Sequence, residues 1–415
     1  MIATTKIKYK KTGLDWMPLI PENWEVKRAK VLFQERSIKG FPNEPLLAAS
    51  QKQGVVLKEM LEQRSMEAVQ NFESFKLVEK DDYVISLRSF EGGIELAYFR
   101  GIISPVYSIF NFRENANNKD YFKYLFKSRM FIQELNVYKK GIRDGQSISF
   151  GEFANIYLPI PPKQEQDEIV QYIKAQEEKI NLFIQKKQRF IELLKEQRQS
   201  KIDEAVDGTS KNWLNKKLKY VAEIKFSNVD KHTIEEEIPV RLCNYVDVYK
   251  NDYITNDLEF MKATATETEI EKFTVQKGDV IITKDSEEAT DIAVPTFVKE
   301  DLENVVCGYH LALIRANENE ILNEYLFRKF QSSELKAYFA IEATGVTRVG
   351  LSMGEITGVK ISYPKSIEEQ KQIVSHIKTE TATIDTAITK AEREIELIRE
   401  YKEAMIAEAV MGKRK

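Results

Sequence analysis

Polar side chains able to meet the edges of nucleic-acid bases gather in two loops that occur twice along the chain. The first is Ser86-Leu87-Arg88-Ser89-Phe90-Glu91-Gly92-Gly93, matched by Thr283-Lys284-Asp285-Ser286-Glu287-Glu288. The second is Gly141-Ile142-Arg143-Asp144-Gly145-Gln146-Ser147, matched by Gly345-Val346-Thr347-Arg348-Val349-Gly350. Arginine and lysine donate to guanine O6 and N7, glutamine pairs with adenine, and carboxylates accept from cytosine. The candidate contact residues are therefore Arg88, Ser89, Arg143, Gln146, Ser147, Lys284, Asp285, Thr347 and Arg348. Glycines in these loops would let the backbone come close to a phosphate. Polar, glycine-bearing loops are common on soluble proteins, so the weight falls on their recurrence rather than on any one residue.

Catalytic chemistry is not signalled. His232, His310 and His376 are scattered, without the spacing of a metal site or a triad. No GxxxxGK[ST] loop is present, and Asp203-Glu204-Ala205-Val206 reads as a helix end. A glycine-rich S-adenosylmethionine loop and an Asn-Pro-Pro-aromatic box are also lacking. Cys243 and Cys307 have no CxxC spacing and read as reduced, buried thiols. Catalytic and metal-binding residues are thus expected to be absent.

The loops need a frame, and the frame is written twice. Gln166 to Gly208 aligns without gaps on Gln370 to Gly412, 204 positions later, pairing Ile169 with Ile373, Val170 with Val374, Ile180 with Ile384 and Ile184 with Ile388. Each copy follows a proline-bearing strand, Leu158-Pro159-Ile160-Pro161-Pro162 or Ile361-Ser362-Tyr363-Pro364. Upstream the likeness is looser but ordered: Asn23-Trp24 with Asn212-Trp213, Asp82-Tyr83-Val84-Ile85-Ser86 with Asp279-Val280-Ile281-Ile282-Thr283, and Gly151-Glu152 with Gly354-Glu355. Helices that stay alike while globular parts drift describe one scaffold carrying two different readers.

Both copies read as long helices with a heptad seam. The first, free of glycine and proline from Gln164 to Val206, sets Val170, Ile173, Ile180, Ile184, Ile191 and Leu194 on three- and four-residue steps. The second repeats the seam with Val374, Ile377, Ile384, Ile388, Ile395, Ile398, Met405 and Ala409, and Gly208 and Gly412 stop the two helices. At about 1.5 Å per residue each is a rod of about 65 Å. A lone apolar stripe needs a partner, and an antiparallel pair within one chain relates the halves by a pseudo-twofold axis.

Between the helices, short apolar runs such as Tyr83-Val84-Ile85 and Val280-Ile281-Ile282 alternate with polar loops, which reads as strand-rich α+β. A helical stretch near Tyr121 to Val137, with Phe122, Leu125, Phe126 and Leu135, has a counterpart at Glu324 to Phe339, and its aromatic residues are expected to fill a core. The predicted organisation is globule 1–163, helix 164–208, globule 209–366, helix 367–412.

With 415 residues the chain is too long for one core. A hydrophobic content of 42% and a charged content of 31% describe a folded protein with long polar helices. No apolar run is long enough to span a membrane and no leader pattern opens the chain, so a cytoplasmic location is expected. The net charge of -3 runs against a nucleic-acid binder. A bulk sum hides local faces, however: Lys6, Lys8, Lys10, Lys11, Lys27, Arg28 and Lys30 cluster early, while acids gather at Glu235 to Glu237 and Glu267 to Glu271.

On these features the chain resembles the specificity subunits of type I restriction-modification enzymes. The resemblance rests on Ile20-Pro21-Glu22-Asn23-Trp24, on Leu158 to Gln166 with Ile169-Val170, and on the repeat Tyr363-Pro364 through Glu369-Gln370 and Ile373-Val374. The string Val240-Arg241-Leu242-Cys243-Asn244-Tyr245-Val246-Asp247-Val248-Tyr249 resembles the start of a recognition domain in this family, which adds Asn244 and Tyr245 to the DNA-contact candidates; the first half reads Leu46-Leu47-Ala48-Ala49-Ser50-Gln51 there. The resemblance implies a non-catalytic subunit with two target recognition domains, each reading half of a bipartite, asymmetric double-stranded DNA site, and a helical spacer that fixes the gap; a rod of about 65 Å less the domain widths sets the readers about one to two turns apart. It also implies two methyltransferase subunits using S-adenosylmethionine and restriction subunits using ATP and magnesium, none of these cofactors bound by this chain, in a phage-defence role. Two other readings stay open: a coiled-coil adaptor whose globules bind proteins, and the specificity subunit of a stand-alone adenine methyltransferase.

Overall fold

In the computed structural model, residues 8–61, 72–114, 116–138, 148–207 and 213–413 are described. The chain forms two compact units, Met1–Lys187 with Arg393–Lys415, and Gln188–Glu392. These bounds differ from the sequential scheme of globule, helix, globule, helix. Each unit holds part of both long helices, because each globular core closes over apolar helix residues instead of stopping at the helix start.

The two helices run Lys163–Val206 and Ile367–Val410, 44 residues each. In the first unit, Ile169, Val170 and Ile173 from the beginning of one helix share a core with Ile406, Ala409, Val410 and Met411 from the end of the other. Ion pairs Glu177 to Lys402 (3.0 Å) and Lys187 to Glu394 (2.5 Å) follow the same descending order. In the second unit, Ile202 and Val206 meet Val374 and Ile377, and Arg198 pairs with Asp385 at 2.7 Å. Within each unit the helix segments are therefore antiparallel. The seam residues Ile173, Ile180, Ile191, Ile377, Ile384 and Ile395 are buried, and Ile184, Leu194, Ile388 and Ile398 are half-buried. At the end of the second helix Gly412 has φ 71°, and a Cβ there would lie 2.6 Å from Pro21, so the left-handed helix end and close packing both select glycine.

The first globule is built on a four-stranded antiparallel sheet in the order Phe33–Arg36, Ser108–Phe112, Tyr83–Ile85, Glu95–Leu96. The second has five strands in the order Ala222–Phe226, Leu311–Ala316, Val280–Thr283, Pro295–Val298, Tyr253–Ile254, and a separate three-stranded sheet of Met261–Ala265, Ile238–Cys243 and Val305–Cys307. Each aromatic-rich helical stretch is two helices rather than one: Lys119–Lys127 with Arg129–Val137, and Asn323–Phe330 with Ser333–Glu342. Ser128 and Ser332, again 204 positions apart, cap the second helix of each pair and divide it from the first. Phe122, Leu125, Phe126 and Leu135 are fully buried, as expected of core residues.

A repeated latch ties each globule to its long helix. Gln166 is 1% exposed; its amide oxygen accepts from Asn118 N (2.8 Å) and its nitrogen donates to Pro161 O (2.8 Å). Gln370, 0% exposed, accepts from Leu322 N (2.7 Å) and donates to Pro364 O (2.8 Å) and Glu320 O (3.2 Å). One amide thus satisfies the start of a short helix and the end of a strand, groups that burial would otherwise orphan. Beside it, Trp24 Nε1 donates to Glu165 (2.7 Å) and Trp213 Nε1 to Glu369 (3.3 Å). Lys174 pairs with Asp120 at 2.5 Å and Lys378 with Glu324 at 2.7 Å. The motif aspartates are equally structural: Asp82 binds Glu79 N and Arg36, while Asp279 binds Gln276 N and Arg315.

Candidate nucleic-acid interface

In the second unit, short strand pairing brings two distant segments of the site together. Asp285–Ser286 pairs antiparallel with Val349–Gly350, and Leu351 N donates to Lys284 O at 2.8 Å. The loop bearing Thr347 and Arg348 is thereby laid beside the one bearing Lys284 and Asp285. The Asp285 carboxylate meets Arg348 at 2.5 Å and His310 Nδ1 at 2.7 Å, so it holds two cationic or hydrogen-bonding groups at the surface. The Arg348 guanidinium also lies 6.0 Å from the centroid of Tyr245, which stacks on Tyr249 at 5.5 Å. Tyr249 donates to Asp291, and that hydrogen bond pushes its hydroxyl pKa up to about 12.

The expected contact residues divide by what they already hold. Arg348 and Thr347 are exposed and Tyr245 is half-buried. Asn244 is committed to its helix: its side-chain oxygen accepts from Val246 N at 2.9 Å, and its own N–H donates to Asp247 at 2.8 Å. The Lys284 ammonium turns toward the protein, donating to Ser227 O (3.3 Å) and sitting 4.5 Å from the Tyr309 centroid and 5.1 Å from that of Phe226. Burial lowers its pKa. Asp285 therefore positions Arg348 instead of offering a free acceptor, and Lys284 braces the loop. Tyr309 and His310, which sequence reasoning passed over, join Asn244, Tyr245 and Met261 around a pocket of about 300 Å³. The partner of His310 lies 25 positions upstream, so no local spacing signals the pair.

In the first unit, Arg88 is exposed at the start of the short helix Ser89–Gly92. Ser89 is 1% exposed and its hydroxyl accepts from Ser86 N at 2.8 Å, so this candidate shapes the loop from inside and does not face solvent. Lys127 ties the loop to the neighbouring hairpin by donating to Gln51 O (2.9 Å) and Gly92 O (2.7 Å) and by pairing with Glu95. Gln51, exposed, reaches Glu91 at 3.4 Å. Arg143, Gln146 and Ser147 lie outside the described residues. Lys8, Lys10, Lys11, Lys27, Arg28 and Lys30 are all exposed on this unit, with Lys27 paired to Glu25.

Among the described residues there is no cluster of three or more histidine, cysteine or acidic side chains arranged to hold a metal. No described helix is long and apolar enough to cross a membrane.

A family model described as the type I restriction modification DNA specificity domain matches the chain twice, over residues 21–193 and 210–397. One similar solved chain comes from a structure on complex assembly and conformational transition of the type I R-M system. It is 13% identical, with 95% of this chain and 99% of that one covered and a TM-score of 0.70. Another is the HsdS subunit from Thermoanaerobacter tengcongensis, 15% identical, with 95% and 98% covered and a TM-score of 0.50. No curated protein matches. At these identities the solved structures establish the fold, and the doubled family match accounts for its repetition.

Proposed function

Because the chain belongs to the type I restriction modification DNA specificity family, both halves falling on its model, we propose that it reads a bipartite DNA site for partner subunits that do the chemistry. Each globule takes one half-site, and the paired helices, each about 66 Å long at about 1.5 Å per residue, set the gap. Two methyltransferase subunits dock on the helices and bring S-adenosylmethionine; restriction subunits bring ATP and magnesium. The chain works in the cytoplasm with these partners and carries no cofactor itself.

One observation carries this reading. The latch of Gln166 and Gln370 and the lysine to acid pairs recur 204 positions apart and the tryptophan to glutamate bond recurs in each half, whereas the loops they support differ in most polar residues, Arg88 standing where the second half has Asp285 and Arg143 where it has Thr347. Matching supports with unlike surfaces are what two half-sites of unlike sequence require. In the second unit Arg348, Thr347 and Tyr245 contact DNA, with Asp285 and His310 setting the arginine. In the first, Arg88 does so.

The test is methylated-adenine mapping in cells carrying a partner methyltransferase with and without this chain. A split motif with a fixed gap that appears only when the chain is present supports the proposal. Unchanged methylation, or a continuous palindrome, refutes it.

A further inference from the structure

Resting on the DNA-reading function above, we propose that Val346 is a specificity-determining residue of the second globule, its methyl groups packing on the C5 methyl of a thymine in the major groove. Val346 is 103% exposed, the full surface of an isolated residue, yet the loop carrying it is pinned on both sides. Thr344 N donates to Gly350 O at 3.1 Å and Gly350 N to Thr344 O at 2.9 Å, closing the loop at its base. The Asp285 to Arg348 pair and the Asp285–Ser286 strand fasten the same base to the body of the globule. Gly345 has φ 146°, and a Cβ there would lie 2.0 Å from Arg348 O, so only glycine lets the tip close this tightly.

The fixed tip presents an aliphatic side chain next to Thr347 and Arg348, two groups suited to base edges. A β-branched side chain is stiff at χ1, so its methyl groups point in one direction at little entropic cost. The thymine methyl is the one apolar mark in the major groove, and aliphatic contact is how proteins read it. Single exposed apolar residues are ordinary on protein surfaces. Val346 departs from that background because the pattern recurs: Gly141-Ile142 stands 204 positions before Gly345-Val346, the offset of the helices, while the polar residues that follow have changed. The sequence thus places a β-branched aliphatic residue directly after a glycine at the matching position of both halves.

The experiment uses the purified complex of this chain with its methyltransferase subunits, on duplexes carrying the motif found by methylation mapping. Each thymine of the half-site that depends on the second globule is replaced in turn by deoxyuridine, which removes only the methyl. One replacement should weaken wild-type binding about fourfold, the worth of one buried methyl group. Val346→Ala should bind the unmodified duplex about fourfold more weakly and be indifferent to that replacement, while Val346→Ile keeps the sensitivity. Circular dichroism and melting confirm that each variant is folded. A wild-type complex indifferent at every thymine, a half-site without thymine on either strand, or full sensitivity in Val346→Ala overturns the proposal. In all three cases selective binding of the motif persists, which separates this failure from failure of the DNA-reading function, where selectivity itself is absent.

Discussion

Replacing Gln370 with leucine keeps the side-chain volume near its native value and deletes three hydrogen bonds in a site closed to water. The Leu322 N–H would be left as a buried, unpaired donor, a cost of about 1–3 kcal/mol. The Pro364 and Glu320 carbonyls would each lose a donor, at about 1 kcal/mol apiece because a carbonyl tolerates partial satisfaction better. Gln370→Leu should therefore destabilise the second unit by about 3–5 kcal/mol. With a urea slope of about 2–3 kcal/mol/M for a unit of this size, its midpoint falls by about 1–2.5 M. Hydrogen exchange followed by mass spectrometry across a urea series reads the loss in peptides from 320–342 and compares them with peptides from 118–137. Gln166→Leu should shift the loss to the first unit, where Asn118 N is the stranded donor. A change under 1 kcal/mol, or equal losses in both units from either substitution, would refute the latch.

Three further outcomes follow from named groups. Arg348→Ala should relax discrimination at one position of the second half-site by about 1–3 kcal/mol, read from binding to single-base variants, and leave the first half-site unchanged. Burial raises the Glu95 pKa above its ordinary value of 4.5 against the lowering effect of Lys127. Its contribution to stability is therefore complete below pH 4.5 and is lost as pH rises through the higher folded value; urea melts should show Glu95→Gln gaining on the wild type as pH is raised across that window, and a constant difference would contradict this. Cys243 and Cys307 are fully buried, and burial raises both thiol pKa values, so a thiol reagent at pH 8 should label neither until denaturant is added.

The scaffold was legible in the sequence because its physics is local and periodic. A stretch without glycine or proline and with apolar residues on a heptad specifies a helix wherever it lies, and every seam residue from Ile173 to Ile398 is buried or half-buried. The division at Ser128 and Ser332 was missed because a serine inside an amphipathic run looks like a helix surface residue until its hydroxyl is seen capping the next turn. The contact surface was only partly legible. Its loops were found by recurrence, but which way each side chain turns depends on two-residue strands too short to leave a pattern. Lys284 and Arg348 read alike as loop cations, yet one folds back onto Ser227, Phe226 and Tyr309 while the other stands exposed on Asp285. Ser89 follows an exposed arginine in a polar loop, and nothing local marks it as buried. His310 gains its partner only through the tertiary fold.

Exchanging residues 213–364 for the corresponding globule of another specificity subunit, followed by adenine-methylation mapping in cells with the partner methyltransferase, puts the central claim to the most direct trial. Two readers on one duplicated frame predict that one half of the methylated motif changes while the other half and the number of bases between them stay as they were. A motif altered in both halves, a changed gap, or an unaltered motif would contradict that account.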